Sequence, residues 1–292
     1  MHYLRIFTYP FALCFFILPL FHCRSVYPSP QSSTSTQNLD TNPPHLQDIE
    51  NNSTAEISLE EKQALEEGVW DLTDVDLSKI DPSRKLIAFS FDDSPSRTLE
   101  NILAVYAQFN ESNPDCPASA TIFCNSVKFD AQTPHLLSTC LAMGMELGNH
   151  THSHYDLTTL DEDTLRAEID KTDKALFALD GKKRHLLRAP FGKTNDLVKE
   201  VSSTPIINWT IDTLDWSGVS EDSIYRTVYE NRFSGAIVLM HDGYKHTINA
   251  LKRLLNDLKT DGYQVVSISQ LAKAHGCTLR NGSTYIRARK CN

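Results

Sequence analysis

From residue 85 to residue 274 the chain alternates short apolar runs with longer segments whose apolar residues recur at helical spacing. The short runs predict buried strands, and the longer segments predict amphipathic helices that cover them. Strands are expected at 86–91, 119–124, 145–147, 186–187, 206–207, 236–240 and 265–268. Helices are expected at 99–109, 134–143, 161–179, 196–201, 220–231, 248–258 and 270–274.

About seven β-then-α units in succession imply parallel strands joined by helical crossovers. The predicted fold class is α/β, and a distorted parallel barrel with about seven strands is favoured over an open doubly wound sheet. The reason is that polar residues follow the ends of five different strands. They are Asp92 with Asp93, His150, Arg188, Asp212 and His241. Active sites of parallel barrels gather at these strand ends, so the residues are expected to converge.

The first 24 residues are interpreted as a signal peptide or a membrane anchor. Arg5 supplies the positive end, and residues 6–21 are almost wholly apolar. Such a segment is short of the roughly 20 residues that span a bilayer. Export is therefore expected, with the protein secreted or anchored at the cell envelope. Cleavage, an uncleaved anchor and lipidation at Cys23 all stay open, because His22 departs from the small residue expected before a lipidated cysteine.

Four further segments make up the remaining chain. Residues 25–58 are rich in Ser, Thr, Asn, Gln and Pro, so they are expected to form a flexible tether. Residues 59–80 are expected to be an adaptor with a short helix. Residues 81–275 are expected to form the catalytic domain, and residues 276–292 a tail.

The cysteines bear on how the tail is held. Five lie beyond the leader, which is an odd number for a protein expected in oxidising surroundings. A disulfide between Cys277 and Cys291 is preferred, because the tail has little else to hold it, and one between Cys116 and Cys140 is second. Cys124 ends an apolar run and is expected to be buried and unreactive.

Composition excludes one class of partner. A chain of 292 residues with 40% hydrophobic residues can bury a sizeable core, and one domain of roughly 200 residues is expected. The net charge of -9 argues against nucleic acid, because binding to it rests on Lys and Arg neutralising phosphates.

Three histidines, His150, His152 and His154, lie within five residues just after an expected strand. Imidazole is a preferred ligand of zinc and its neighbours in the first transition row, and the outer two histidines can reach one ion. A solvated cluster would explain the histidines alone, and a turn would explain Asp92 and Asp93 alone. Together, Asp93 and the two outer histidines make the ligand set of an open hydrolytic metal site.

Five motifs, in order, resemble those of the NodB-type polysaccharide deacetylases, carbohydrate esterase family 4. They are Ser90-Phe91-Asp92-Asp93-Ser94-Pro95, His150-Thr151-His152-Ser153-His154, Arg188-Ala189-Pro190-Phe191-Gly192, Asp212-Thr213-Leu214-Asp215-Trp216 and Leu239-Met240-His241-Asp242. The resemblance covers residues 81–271 and implies a NodB homology domain whose fold is a distorted barrel.

The resemblance implies that Asp93, His150 and His154 bind a divalent metal, with zinc expected before cobalt, nickel or manganese. His152 is then expected to point away, because two histidines and one carboxylate already leave room for water.

The resemblance also implies how protons move. Asp92 would be the general base, paired with Arg188, which holds it ionised. Asp212 would orient His241, and His241 would be the general acid that protonates the leaving group.

Four residues are expected to contact the substrate. The backbone N–H of Phe191 would stabilise the oxyanion, Trp216 would stack on a sugar ring, and Leu239 belongs to the last motif. Ser94 stands where the family usually has Gly. Its side chain would narrow the approach to the metal, and it would be strained if the backbone there required a positive φ.

The leading interpretation is an exported, metal-dependent hydrolase that removes acetyl groups from N-acetylglucosamine units of a polysaccharide, with peptidoglycan before chitin-type polymers. O-deacetylation of acetylated xylan is the close alternative, because these residues do not separate an amide from an ester. An inactive carbohydrate-binding relative is the alternative from another class. Such a protein is expected to have lost at least one catalytic residue, and the sequence keeps them all.

Overall fold

The computed structural model describes residues 68–288. The predicted leader and tether, residues 59–67 of the predicted adaptor, and Cys291 lie outside the described residues. Within 68–288, no helix is both long enough and apolar enough to cross a membrane.

A parallel sheet forms the centre of the fold. Its strands are β1 Lys85–Ser94, β2 Thr121–Cys124, β3 Glu146–Asn149, β4 Ile206–Ile207, β5 Ile211–Asp212, β6 Ile237–His241, β7 Tyr263–Val266 and β8 Thr284–Tyr285. All the pairings between these strands are parallel.

The strands are arranged as an incomplete barrel. They follow one another in the order β5, β6, β1, β2, β3, and β7 pairs with the first half of β1. Leu187 continues this order, because it forms parallel bridges to Asn149 of β3 and to Ile206 of β4. No pairing joins β4 to β5 among the described residues, so the barrel is open at that point. The expected distorted parallel barrel is confirmed.

Helices connect and cover the strands. They are α1 Leu99–Ser112, α2 Thr133–Ala142, α3 Glu162–Asp180, α4 Asp196–Val201, α5 Glu221–Asn231, α6 Lys245–Thr260 and α7 Ile268–Ala274. The longest, α3, begins where Asp161 accepts a hydrogen bond from the Thr164 N–H and ends at Gly181, whose φ of 73° is left-handed. Short 3-10 turns lie at Ser126–Lys128, Leu157–Thr159, Pro190–Gly192 and Asp215–Ser217.

Alternation along β1 separates two apolar clusters. Ile87, Phe89 and Phe91 pack under α1 and α6 in the larger cluster. Leu86 and Ala88 belong to an inner cluster with residues of other strands, namely Phe123, Ile207, Ile237 and Val266. Because side chains alternate in a strand, Ser90 and Asp92 continue the inner set. The alternation of side chains along β1 therefore predicts that Asp92 points into the barrel.

The tail is integrated into the barrel, so the expectation that little else than a disulfide holds it is wrong. Strand β8 pairs with β4. The Gly282 N–H donates to the Thr204 carbonyl at 3.0 Å, and the Ala288 N–H donates to the Gly235 carbonyl at 2.9 Å. The edge of β4 would otherwise expose unpaired backbone groups, and pairing with the tail satisfies them.

The cysteine predictions have different outcomes. Cys116 and Cys140 are free thiols, so the second disulfide prediction is wrong. The physical reason is that Cys140 is buried on the core-facing side of α2, whereas Cys116 is buried in the loop after α1. Cys124 is fully buried, and burial raises the pKa of its thiol well above the usual value, as expected for an unreactive group. The pairing of Cys277 with Cys291 lies outside the described residues.

Candidate active site

The polar residues that follow the strands meet at one end of the barrel. Asp92 and His241 are direct neighbours, because their Cα atoms are partners in the parallel pairing of β1 with β6. His150 follows the last residue of β3, and Arg188 follows Leu187. The expectation that these residues converge is confirmed, because each leaves a strand at its C-terminal end.

Asp93, His150 and His154 form a compact group of donor atoms. One ligand atom from each lies within 4.8 Å of the other two. The Nε2 atom of His154 lies 3.5 Å from Asp93 Oδ1, and the imidazole centroids of His150 and His154 are 4.9 Å apart. Asp93 and His154 have left-handed backbones, with φ of 66° and 58°. These rare conformations turn both side chains toward His150.

The chemistry of this donor set fits a divalent metal. His150 Nδ1 lies 2.7 Å from the Arg188 carbonyl and donates to it, which leaves Nε2 as a lone-pair donor toward the site. Burial lowers the pKa of His150, so the neutral ligand form is favoured. Burial alone would raise the pKa of Asp93, but the charges of His150 and His154, when these are protonated, and of Lys128 outweigh it and lower this pKa. An anionic oxygen and two neutral imidazoles are a common zinc ligand set.

His152 faces away from the donor group, as expected. Its Nδ1 atom lies 2.8 Å from the hydroxyl of Ser126, and its backbone N–H donates to the Glu168 carbonyl of α3.

A buried arginine holds Asp92 in place. Arg188 Nη1 donates to Asp92 Oδ1 at 2.7 Å and to Ser90 Oγ at 2.8 Å, and its Nε donates to the Ile207 carbonyl at 3.0 Å. The second carboxylate oxygen of Asp92, Oδ2, lies 3.7 Å from His150 Nε2. Asp92 is only 3% exposed, so one oxygen is fixed by the cation and the other faces the metal group. The expected pairing of Arg188 with Asp92 is present.

Two aromatic rings pack against this cation. The Arg188 guanidinium carbon lies 4.2 Å from the ring centroid of Phe123 and 5.7 Å from that of Trp209. Burial lowers the pKa of Arg188, although the charge of Asp92 opposes this. The rings exclude water, and the charge of the arginine is therefore directed toward Asp92.

His241 is oriented by Asp215, whereas the expected partner was Asp212. His241 Nδ1 lies 2.7 Å from Asp215 Oδ1, and the His241 N–H donates to Oδ2 of the same carboxylate at 2.8 Å. Asp215 is fully buried, and the Thr247 hydroxyl also donates to it. The carboxylate of Asp212 instead accepts a hydrogen bond from the Leu214 N–H. The prediction for Asp212 is wrong because the chain turns at Leu214, which has a φ of 54°, and this turn brings the second aspartate to the histidine.

The environment of His241 favours its protonated form. Burial opposes protonation, but the hydrogen bond to Asp215 and the charges of Asp92 and Asp93 outweigh it and raise the pKa of His241. Since Nδ1 is engaged by Asp215, Nε2 is the nitrogen that can give a proton to a substrate.

Of the four expected substrate residues, two are exposed and two are buried. The exposed ones are Phe191 and Trp216, and the buried ones are Leu239 and Ser94. Phe191 and Trp216 are 61% and 55% exposed, and the Phe191 ring centroid lies 4.9 Å from that of His154. Among the described residues, no acceptor is found for the Phe191 backbone N–H. Leu239 is buried, so its side chain offers little area to a sugar.

Ser94 differs from its expected position. It is fully buried, and its hydroxyl donates to Asp242 Oδ2 at 2.8 Å. The left-handed residue is Asp93, so Ser94 is not strained by a positive φ. The expectation that Ser94 narrows the approach to the metal group is therefore wrong, because its side chain points into the protein.

Lys128 is a site residue that the sequence did not reveal. Its Nζ donates to the Asp93 carbonyl at 2.8 Å and lies 3.5 Å from Asp93 Oδ1. It belongs to a short turn after β2, so only the barrel order, and no local motif, places it here.

A separate cavity of about 670 Å³ lies at the opposite end of the strands, lined in part by Ser119, Glu146 and Gln264. The polar side chains of these three residues are hydrogen-bonded to neighbouring protein groups. None of the candidate catalytic or metal-binding residues lines this cavity.

Comparisons with known proteins agree with this geometry. The family model described as polysaccharide deacetylase matches residues 79–205. The chain is 33% identical over 201 residues to a peptidoglycan-N-acetylglucosamine deacetylase of Bacillus cereus, and the match covers 65% of this chain and 90% of that protein. The chain belongs to the polysaccharide deacetylase family.

Other relatives of this chain are longer. The chain is 33% identical over 204 residues to the peptidoglycan-N-acetylglucosamine deacetylase PgdA of Listeria monocytogenes. This match covers 70% of the chain but only 41% of PgdA. Among solved structures, the Xyl-CE4 domain of a multidomain xylanase from the hindgut metagenome of Trinervitermes trinervoides is 25% identical, with a TM-score of 0.65, and covers 70% of this chain and 98% of that one. The expected family is thereby confirmed.

Proposed function

We propose that this deacetylase removes acetyl groups from N-acetylglucosamine units of peptidoglycan in a metal-dependent reaction. The observation that carries the proposal is the arrangement of three devices at one end of the barrel. These are the Asp93, His150 and His154 donor group, Asp92 fixed by Arg188, and His241 fixed by Asp215.

The first half of the reaction forms the new bond to water. Asp93, His150 and His154 would hold a divalent metal, zinc by preference, which when bound would supply Lewis acidity toward the acetyl carbonyl and the attacking water. Asp92 accepts a proton from this water through Oδ2 as the carbon–oxygen bond forms. Arg188 lies beside Oδ1 and holds the carboxylate in place for this transfer. The unpaired N–H of Phe191 can donate to the carbonyl oxygen as it gains negative charge.

The second half of the reaction breaks the carbon–nitrogen bond. His241 Nε2 gives its proton to the leaving nitrogen, and Asp215 stabilises the histidine through Nδ1. The products are acetate and a free amino group on the sugar. Phe191 and Trp216 present exposed rings near this end, which suits stacking on sugar rings.

The names of relatives support peptidoglycan as the polymer, because the matches in Listeria and Bacillus are named for it. The similarity to the Xyl-CE4 domain keeps acetylated xylan as the second candidate, since an ester would use the same residues. The apolar segment at residues 6–21 supports export, and residues 25–58 would then tether the domain at the cell envelope.

The test is acetate release from peptidoglycan, N-acetylglucosamine oligomers and acetylxylan, with and without a chelator. Chelator-sensitive release is expected to be fastest on peptidoglycan. The matched variants are Asp92→Asn, which should keep the metal and lose turnover by about 10²–10⁴-fold, and His150→Ala, which should lose the metal. If none of the three polymers yields chelator-sensitive acetate, the proposal is wrong. Faster acetate release from acetylxylan than from peptidoglycan would instead support an acetylxylan esterase.

A further inference from the structure

We propose that helix α3 positions the metal-binding loop, residues 149–154, through an inward-facing polar strip of Glu168, Thr172 and Asp173, with His185 as the ionic partner of Asp173. The inference rests on the proposed metal site. It assigns a positioning role to residues that are not among the expected metal ligands.

The loop needs such support because its backbone is unusual. Thr151 and His154 have φ of 69° and 58°, in the left-handed region that non-glycine residues rarely adopt. Conformations of this kind persist only where the surrounding structure fixes them. The contacts that fix the loop therefore also hold the imidazole of His154 at the metal group.

Glu168 holds the middle of the loop. Its carbonyl accepts the His152 N–H at 2.9 Å, and its side-chain Oε2 accepts the Ser153 N–H at 2.6 Å. Glu168 is only 4% exposed. A buried carboxylate is costly unless it is hydrogen-bonded, and an apolar residue would otherwise suit this face of the helix. The Ser153 N–H of the loop is the hydrogen-bond donor that compensates the burial of this carboxylate.

Asp173 holds the start of the loop. Asn149 Nδ2 donates to Asp173 Oδ1 and to the Ile169 carbonyl, both at 2.9 Å. The other end of the same amide, Oδ1, accepts the Thr151 N–H at 2.8 Å. Asn149 is thus fixed at both ends, and it immediately precedes His150.

His185 balances the charge of this buried carboxylate. Its Nδ1 lies 2.9 Å from Asp173 Oδ1, and its Nε2 lies 3.2 Å from Asp180 Oδ2, with the imidazole almost fully buried. Burial lowers the pKa of His185, but the two carboxylates outweigh it and raise this pKa to about 9. The imidazolium is therefore the charged partner that fixes the direction of the Asp173 carboxylate at neutral pH.

Thr172 completes the strip. The Ser126 hydroxyl lies 2.8 Å from Thr172 Oγ1 and 2.8 Å from His152 Nδ1. His152, which is not among the expected ligands, is in this way a second loop side chain, after Asn149, that is linked to the helix, here through Ser126. Glu168, Thr172 and Asp173 recur at helical spacing, so a single helix face makes all of these contacts.

The experiment measures zinc affinity of the full chain by competition with a chelating indicator, together with thermal unfolding. Glu168→Ala is expected to raise the zinc Kd by about 10-fold or more, the usual effect of losing an outer partner of a metal ligand. Glu168→Gln keeps an oxygen that can accept the Ser153 N–H, so its Kd should stay within about twofold of wild type. Glu162→Ala removes an exposed ion pair with Arg166 on the same helix and is the matched control.

A milder variant protects the test against misfolding. Thr172→Val is nearly isosteric and removes only the hydroxyl, with an expected rise in Kd of about threefold to fivefold. If wild type binds zinc and folded Glu168→Ala or Thr172→Val binds it equally well, the positioning role is overturned, even if the melting temperature falls. If wild type itself binds no zinc, the proposed function fails instead.

Discussion

At the scale of single residues, the contact between Asp215 and His241 predicts a specific pH response. The raised pKa of His241 keeps the proposed general acid protonated, so turnover is expected below this pKa and is lost as the pH rises through it. Asp215→Asn should move the alkaline limb of kcat to lower pH by about one to two units, since hydrogen bonds to charged groups are worth about 1.5–3 kcal/mol. A pH series of kcat for both proteins measures this.

Asp212→Asn is the matched control for that variant. Its side-chain oxygen can still accept the Leu214 N–H, and Asp212 has no contact with His241 among residues 68–288. Its pH profile should overlay that of wild type. A shift in Asp212→Asn together with none in Asp215→Asn would contradict the assignment.

A second residue-scale prediction concerns Lys128, whose Nζ lies 3.5 Å from Asp93 Oδ1. Its positive charge should repel a divalent metal at the same carboxylate. Lys128→Met is therefore expected to tighten zinc binding by about fivefold, on the order of 1 kcal/mol for a partly exposed charge. Lys128→Arg keeps the charge and should match wild type. Weaker zinc binding in Lys128→Met would mean that the hydrogen bond to the Asp93 carbonyl matters more than the repulsion.

Residue types and their order were sufficient to predict most of the site. The candidate residues all lie at or just after the C-terminal ends of strands or of the Leu187 bridge, and these ends converge in a parallel barrel. Choosing between Asp212 and Asp215 required the left-handed turn at Leu214, which no local pattern signals because leucine rarely adopts it. The contact of Lys128 was equally invisible, since it joins turns that are distant in sequence.

At the scale of elements, the close approach of β3 to β2 predicts the effect of one methyl group. Gly148 is paired with Phe123, and a Cβ built on Gly148 would lie 2.5 Å from Phe123 Cδ1. Gly148→Ala must displace the ring against which Arg188 packs. A loss of about 1–3 kcal/mol in the free energy of unfolding is expected, with reduced turnover. Denaturant unfolding and kcat measure the two effects.

Gly243→Ala is the control, because a Cβ there meets no atom within 4 Å and no positive φ is required. Its free energy of unfolding should change little. If Gly148→Ala were as stable and as active as wild type, the ring of Phe123 would not be needed to hold Arg188.

Elements with a long apolar period were predicted well, whereas short strands had mixed outcomes, since the two-residue β4 was predicted at its observed bounds. The period of α3 and the alternation of β1 follow from burial of one face, which the sequence records directly. Strand β5 is two residues long and was missed, as was β8. Their pairing is decided by neighbours that are far away in sequence, so their own residues carry no period to detect.

At the scale of the whole molecule, the tail contacts predict that the folded unit extends beyond residue 275. A chain ending at Gly276 would leave the Ile206 and Asn208 N–H groups without the carbonyls of Ser283 and Tyr285. The loss of these hydrogen bonds and of buried Leu279 should lower the melting temperature by several degrees or abolish folding. The comparison is with a chain ending at Ala288. Equal melting temperatures would restore the predicted boundary at 275.

Asp92 and His241 lie on neighbouring strands, whereas the exposed rings expected to contact the polysaccharide lie on turns. The proposed proton acceptor and donor are one interstrand step apart, a spacing of about 4.8 Å that backbone hydrogen bonds maintain. The exposed rings of Phe191 and Trp216 lie instead on short turns. Surface turns can vary in evolution while the distance between acceptor and donor stays constant. Changes in these turns could therefore alter the polysaccharide substrate while the residues proposed for hydrolysis are kept. This would account for the similarity of the chain both to a relative named for peptidoglycan and to one named for xylan.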